Sequence, residues 1–512
     1  MGSRRLLPLI LAVLALASTG VASASTLPSG HGALQASPAR SDGYWLPNLK
    51  ELLLFVPENP TEEEITAALS IAALAARKTE SGRDILVRVQ HPRHNDPSHP
   101  ELNTTETRTV AIQRTVTARI EGGITTEGGS PSPLVIASPP GRLLGLVDEL
   151  LKEADGHGAH VGDLPPEARW PLSRLWDSPP LRMTEDHGDL LWAFSQADLG
   201  GPVSAASLRL RGTYRSGAAD ADAALLVLMN GSLVQVIPLR ESGLFDVQIA
   251  VQPLLLHRDN QLALRLVRAA NSDARQGRIE LLLAELSHLE VEWGQLLQAG
   301  FERFPQALLP QFQVALDSPS ADALEGAAQL TALLQHATRR PLRPSAVRWE
   351  DALAGSGPIL LVAHNPVSTD PLKPPLRTEP LRLVGRDGTE LLRVSAGARF
   401  ALLQAFDHGG RDVLLLTQRD YTPGLSHLPH QIALDGGWYN VQGQSWLQLA
   451  DHPPFSIPIQ EGTLRVRVEG FDRVPWWSSV RPIFYGFVAA LIALALAWMY
   501  PKTVRKQMGQ QP

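Results

Sequence analysis

Leu225 to Ile237 reads LLVLM-NG-SLVQVI. Two apolar-rich runs flank Asn230-Gly231. Both residues of a two-residue type I′ turn need positive φ, which Asn and Gly tolerate, so the stretch predicts a β-hairpin. Apolar and polar residues alternate on either side of it. Leu208-Arg209-Leu210, Val247-Gln248-Ile249-Ala250-Val251 and Leu262-Ala263-Leu264-Arg265-Leu266 all show period two. From about Leu190 to Trp293, several short strands with turn signals between them predict a β-sandwich of roughly 100 residues. Trp192 and Phe194 open it, Tyr214 follows its first strands and Trp293 closes it.

Outward from the sandwich, the pattern changes to alternating strands and helices. Leu52–Val56 is a short apolar strand. Pro60-Thr61-Glu62-Glu63-Glu64 then makes a capping box, with Thr61 as N-cap and Glu64 at N3. The helix runs on through Ile65, Leu69, Ala72 and Ala76. Strands follow at Ile85–Val89 and Ser132–Ala137. A helix from about Arg142 to Glu153 carries Leu143, Leu146, Val147, Leu150 and Leu151 on one face. Beyond the sandwich this order recurs. Gln311–Leu316 predicts a strand, and Asp317-Ser318-Pro319-Ser320-Ala321-Asp322 opens a helix striped by Leu324, Ala327, Ala328, Thr331 and Leu334. Ala346–Trp349 predicts a strand, and Gly357–Ala363 parallels Ser132–Ala137. A helix over Ala398–Ala405, a strand at Asp412–Thr417 and a final β element from Asn440 to Val468 complete the second copy. The repeat predicts a duplicated α/β domain split by the sandwich.

The two ends predict export and anchoring. Pro482 to Tyr500, PIFYGFVAALIALALAWMY, has no charged side chain. A helix of that length spans about 30 Å, the hydrocarbon thickness of a bilayer. Trp476, Trp477, Phe484 and Tyr485 lie at one end, and Trp498 and Tyr500 at the other. Lys502, Arg505 and Lys506 follow, which places the tail in the cytoplasm and the chain before Trp476 outside it. Gly486, Ala489, Ala490 and Ala493 form a small-residue face suited to a transmembrane partner. At the other terminus, Arg4 and Arg5 precede an apolar run from Leu6 to Ala17, and Ala22-Ser23-Ala24 offers a signal-peptide cleavage site.

Composition narrows the chemistry. The chain has no cysteine, so it holds no disulfide, thiolate metal site or cysteine nucleophile. A net charge of −6 gives no basic stripe for nucleic acid. The first turns of the α/β segments, Pro57-Glu58-Asn59-Pro60 and Asp317-Ser318-Pro319, hold prolines and carboxylates where a phosphate cradle needs glycines. No cofactor is expected. His91, His94, Asp96 and His99, the pair His157/His160 and the pair His427/His430 fall among loop residues, where they read as surface histidines and not a metal site. No G-x-S-x-G elbow is present, and Asp407-His408-Gly409-Gly410 reads as a turn. Glu290 and Glu292 share one face of a strand, in the manner of a solvated edge. Aromatics are the remaining signal. Trp192, Trp438, Tyr439 and Trp446 are the candidates for stacking on sugar rings, and Asp435-Gly436-Gly437 places Trp438 in a loop.

The segment from Ser207 to Leu266 resembles the B subunit of bacterial cellulose synthase, the regulatory subunit family. The similarity rests on Met229-Asn230-Gly231 in the hairpin, Pro253-Leu254-Leu255 and Asn260-Gln261-Leu262. Elsewhere it is one of order and position. The resemblance implies a multidomain chain of α/β plus all-β segments. Two flavodoxin-like α/β domains (45–180 and 299–472) would be separated by a jelly-roll-like β-sandwich (186–298). A signal peptide (1–24), one C-terminal transmembrane helix (480–500) and a cytoplasmic tail (501–512) complete the expected layout. Members have a further jelly roll ahead of the first α/β domain, which is expected to be missing here. The resemblance implies a non-catalytic, single-pass cell-membrane subunit whose partners are the membrane glycosyltransferase, the cellulose synthase catalytic subunit, and the glucan polymer. Cyclic di-GMP would bind the transferase on the cytoplasmic side. The residues alone also leave open a tethered cell-wall hydrolase or an adhesion scaffold.

Overall fold

The structure, a computed structural model, describes residues 49–457 apart from 80–84, 92–106, 124–131, 156–167, 176–181, 184–188, 217–222, 240–242, 269–278, 295–298, 379–380, 385–389, 394–398, 422 and 450–451. The first α/β segment comprises β1 (Glu51–Phe55), α1 (Glu62–Lys78), β2 (Leu86–Gln90), β3 (Thr107–Arg114), β4 (Arg119–Gly123), β5 (Ser132–Ser138) and α2 (Leu143–Asp155). Its sheet has the order β2-β1-β3-β5-β4, with β4 the antiparallel edge. The predicted capping box forms. Thr61 N–H donates to Glu64 Oε2 at 2.7 Å, and Glu64 N–H donates to Thr61 Oγ1 at 3.3 Å.

The sandwich follows. Its strands are β6 (Arg169–Pro171), β7 (Arg182–Met183), β8 (Asp189–Ser195), β9 (Val203–Ser216), β10 (Ala223–Met229), β11 (Ser232–Leu239), β12 (Leu244–Val251), β13 (Asp259–Arg268), β14 (Ile279–Leu283) and β15 (His288–Trp293). One sheet has the order β11-β10-β13-β8. In the other, the long β9 pairs with β12 along one edge and with β14 and β15 along the other, while β6 and β7 extend it. Asn230 and Gly231 take φ of 52° and 77°, the paired left-handed residues that the turn requires. Inward side chains of both sheets form a core of their own around Trp192, Phe194, Leu208, Leu225 and Leu264.

The second α/β segment comprises β16 (Phe312–Leu316), α3 (Ala321–His336), β17 (Pro344–Ala346), α4 (Trp349–Ala354), β18 (Ile359–Ala363), β19 (Leu376–Thr378), β20 (Leu381–Val384), β21 (Glu390–Arg393), β22 (Phe400–His408), β23 (Arg411–Arg419), α5 (His427–Leu434), β24 (Ser445–Leu449) and β25 (Phe455–Ile457). The main sheet has the order β17-β16-β18-β23-β22-β24-β25, parallel from β17 to β23 and antiparallel beyond. Both segments thus begin alike: a first strand, a helix, and two parallel strands flanking the first.

Three local expectations are corrected. Of the helix expected over Ala398–Ala405, the described residues from Phe400 onward form β22 instead, which lies between β23 and β24 with residues 400–406 all buried. Its Ala, Leu and Gln favour helices, but pairing on both sides overrides propensity. The strand expected over Ala346–Trp349 ends at Ala346, and Trp349 starts α4. His427 and His430 lie in α5, not in a loop.

Helices α1 and α3 bring the two α/β segments together. Both are buried nearly all round, so each has a second apolar face beyond the one it lays on its own sheet. These faces pack on one another, and each helix reaches the edge strand of the opposite segment. The polar contacts are reciprocal. Ala346 N–H of β17 donates to Thr66 Oγ1 of α1 at 2.8 Å. On the other side, Gln329 of α3 accepts from Val87 N–H at 2.7 Å and donates to the Ile85 carbonyl at 2.8 Å, and Glu325 accepts from Val89 N–H at 2.9 Å. Two sheet edges that would otherwise stay unpaired are covered in this way. One continuous apolar core runs through both segments, from Leu52 and Leu69 to Leu330, Leu360 and Trp438.

The chain clusters into two units, Met1–Arg465 and Val466–Pro512. The second lies outside the described residues, as do the expected signal peptide, residues 458–472, the transmembrane segment with Gly486, Ala489, Ala490 and Ala493, the tail, and His94, His99, His157 and His160. Among the described residues, no helix is long and apolar enough to cross a membrane.

Candidate functional site

Three of the four aromatics expected to meet sugar are buried. Trp192 is 0% exposed in the sandwich core, and Trp438 is 1% exposed. The Trp438 indole donates to the Phe304 carbonyl at 2.8 Å and meets Phe301 edge-on at 5.7 Å. Trp446 is 9% exposed and donates to the Gln442 carbonyl at 3.2 Å. None of the three presents a ring face to a ligand. The loop glycines beside Trp438 signalled exposure, but they turn the chain so that the indole plugs the α/β core.

Tyr439 is different: it is 47% exposed. Trp293, which closes the sandwich, is 39% exposed at the end of β15. Its indole N–H donates to the Leu199 carbonyl at 3.1 Å, and its ring lies against Gly201, where a Cβ would stand 3.4 Å away. Trp293 borders the 196–202 loop, and Tyr439 feels the charge of Asp198 in that loop. Partial burial raises the Tyr439 hydroxyl above its usual range, and the carboxylates of Asp259 and Asp198 add to the rise. Burial also raises Asp198, which accepts from Arg339 N–H at 2.9 Å. The result is a protonated phenol and an open indole beside carboxylate acceptors, a set that suits a ring with many hydroxyls.

This rim is held in place from both sides. Arg258, its side chain 5% exposed, pairs with Asp259 at 2.8 Å and donates to the carbonyls of Tyr439 at 2.8 Å and Val441 at 3.1 Å. The Arg340 guanidinium lies 4.7 Å from the centre of the Trp170 ring, and Arg340 Nε donates to the Asp198 carbonyl at 3.0 Å. The residues that carried the family resemblance meet nearby. Asn230 Nδ2 donates to the Leu255 carbonyl at 2.7 Å and to Asn260 Oδ1 at 3.0 Å, while Gln261 N–H donates to Asn230 Oδ1 at 2.7 Å. Those motif residues therefore tie the hairpin to the 253–262 connection.

A second concavity lies where the carboxyl ends of β1, β3 and β5 face those of β16 and β17, with a volume of about 610 Å³. Two ion pairs stand in it, Arg114 with Glu64 at 2.6 Å and Arg348 with Glu62 at 3.2 Å. Burial alone would raise Glu64, but the hydrogen bond from Arg114 helps to hold it below its usual range. Glu63 caps α2, accepting from the N–H groups of Gly141 and Leu143, both at 2.7 Å. Carboxylates thus occupy the strand ends where a nucleotide fold places phosphate.

A third cluster joins the ends of β16 and β18. His364 Nε2 lies 2.9 Å from Asp322 Oδ2 and 3.5 Å from Ser320 Oγ, and Nδ1 lies 3.5 Å from Asp317 Oδ1. Asp317, then Asp322, raises the imidazole to about 9. Burial of the ring opposes that rise without cancelling it. A serine, a histidine and an aspartate here resemble a hydrolytic triad in composition only. An imidazolium cannot take the serine proton, and Ser320 Oγ caps α3 by accepting from Ala323 N–H at 3.2 Å. Among the described residues, no group of histidine and carboxylate side chains is arranged to hold a metal ion.

The β-sandwich, with exposed aromatics beside carboxylates at one rim, fits a β-rich carbohydrate-binding fold. Residues 172–292 match the family model for the first carbohydrate-binding domain of the cellulose synthase subunit BcsB. This match bears out the resemblance read from Ser207–Leu266. The model matched is that of the first module, whereas a first jelly roll was expected to be missing. No curated protein matches the chain. Solved structures similar to parts of it include a family 35 carbohydrate binding module from an environmental isolate, with 12% identity, 22% of this chain, 74% of that one and a TM-score of 0.14. A family two carbohydrate esterase from Clostridium thermocellum in complex with cellohexaose has 12% identity, 37% and 62% coverage and a TM-score of 0.14. An acetyl xylan esterase from the rumen bacterium Butyrivibrio proteoclasticus has 9% identity, 43% and 72% coverage and a TM-score of 0.14. Likenesses this slight carry no argument about activity.

Proposed function

We propose that the chain is a non-catalytic, membrane-anchored, extracytoplasmic subunit of a cellulose-type exopolysaccharide synthase. In this reading two flavodoxin-like segments carry a jelly-roll-like sandwich that handles the emerging glucan. The helix Pro482–Tyr500 holds the chain beside the membrane glycosyltransferase, with the basic tail in the cytoplasm. The observation that carries the proposal is the match of residues 172–292 to the carbohydrate-binding domain of BcsB. Trp293 and Tyr439 supply the chemistry. Ring faces stack on the sugar, and Asp198, Asp259 and the phenol meet hydroxyls. Hydroxyls of a neutral polymer exchange water for such partners at small net free energy, so the contact is weak and the chain can slide.

Two experiments test the proposal. Extraction of the full chain in mild detergent should bring down a processive glycosyltransferase, and Gly486→Leu or Ala490→Leu should loosen that complex. Cellohexaose should bind the purified chain, and Trp293→Ala with Tyr439→Ala should weaken that binding about tenfold or more. Isolation of the chain alone, together with normal polymer output after its deletion, refutes the reading.

A further inference from the structure

We propose that the cleft between the carboxyl ends of the two parallel sheets is a second saccharide site, distinct from the sandwich rim, which takes a short stretch of an uncharged β-linked glucan. Its position is the one at which open α/β sheets bind ligands, outside the carboxyl ends of the strands. Its volume of about 610 Å³ lies within the usual range of small-ligand sites.

Charge excludes the ligands such sheets more often take. Glu62, Glu63, Glu64, Asp317 and Glu350 line the cleft against Arg114 and Arg348, and each arginine is paired with its own glutamate. An anion would meet a surplus of negative charge and two cations already engaged. What remains for a ligand is a platform and hydrogen-bonding groups. Trp349 is half-buried. It packs against the small core of Ala352, Ile359 and Phe406 on one side and lines the cleft on the other. Gln113, at the end of β3, and Glu350, at the start of α4, flank the same space. An indole with an amide and a carboxylate nearby is a combination that recognises sugar rings and their hydroxyls.

The walls are stiff as well. Pro60, Pro139, Pro140 and Pro319 line the cleft from three different loops, and each fixes its own φ. A site built on such loops loses little conformational entropy when a ligand enters. An exposed ion pair between Arg348 and Glu62, one from each α/β segment, also joins the two segments at the cleft.

The identity of the ligand rests on the reading of the chain as a glucan-handling subunit, and the experiment separates the two. Cellohexaose is titrated by calorimetry into the full chain in mild detergent, into Trp349→Ala, into Gln113→Leu/Glu350→Gln, and into Trp293→Ala/Tyr439→Ala. The cleft variants should each lose one binding event, or weaken it about tenfold, while the rim variant loses the other. Hydrogen exchange of the unmutated chain provides a readout independent of variant folding: cellohexaose should slow exchange in residues 138–143 and 346–350. Unchanged isotherms in both cleft variants, or unchanged exchange in those segments while the rim still binds, overturn the second site alone. Absence of cellohexaose binding by the unmutated chain overturns the second site together with the reading it rests on.

Discussion

Replacing His364 with glutamine removes a cation from between two carboxylates. In the folded chain Asp317 and then Asp322 raise the imidazole from 6.5 to about 9. At 1.36 kcal/mol per pH unit that interval corresponds to about 3 kcal/mol, reduced by solvent screening of a partly exposed ring to about 2 kcal/mol. The sign follows from linkage. A group whose folded value is raised adds stability that is fully present below its unfolded value of 6.5, and that stability is lost as pH rises through about 9. The same imidazolium helps to hold Asp317 below its usual range against the opposing effect of burial. His364→Gln should therefore lower stability by about 2 kcal/mol at pH 6 and by much less at pH 10. Guanidinium unfolding of both proteins across that range gives the difference at each pH, which cancels the titration of lysines and tyrosines common to the two. The His364 ring resonance, assigned by its loss in the variant, should titrate near 9. A stability gap that stays constant from pH 6 to pH 10, or a ring that titrates near 6.5, refutes the ion-pair lock.

Other perturbations probe the fold. Gln329→Leu leaves Val87 N–H and the Ile85 carbonyl buried without their partner and should destabilise the joined α/β segments by about 2–4 kcal/mol in the same unfolding assay. Thr61→Ala removes the side-chain half of the capping box and should cost about 1 kcal/mol, whereas Thr61→Ser should restore it. Gly212→Ala places a Cβ 2.5 Å from Phe245 Cζ and 2.6 Å from the Leu282 carbonyl. Since the backbone of β14 cannot swing aside, the sandwich should lose about 1–3 kcal/mol, seen as an earlier unfolding step.

Signals that act within a few residues were legible in the sequence. Thr61 with Glu64, Asn230 with Gly231, and the strands at Leu52, Phe312 and Ile359 all announce themselves through capping, positive φ or short apolar runs. Features set by distant neighbours were not. The run Ala398–Ala405 reads as a helix until β23 and β24 are placed on either side of β22. Trp438 and Tyr439 are adjacent in sequence, yet one is enclosed by Phe301 and Phe304 while the other faces out. Only the packing of the 300–310 segment against that turn decides which. The cleft is assembled from loops near residues 60, 113, 139, 317 and 348, each unremarkable alone. Its one hint was the surfeit of proline and glutamate at the first turns, which excluded phosphate without pointing to what replaces it.

The mutual burial of α1 and α3 bears on how the chain is made. Lys78 and His336 end helices that cover one another, and the whole sandwich is synthesised between them. At about 5–20 residues per second, the oily back of the first helix waits on the order of ten to fifty seconds for its cover. A holding chaperone, or passage through a translocation pore before collapse, would suit a nascent chain with so long an interval. Severing the polypeptide at either flank of the sandwich should accordingly yield sticky halves instead of two small soluble proteins.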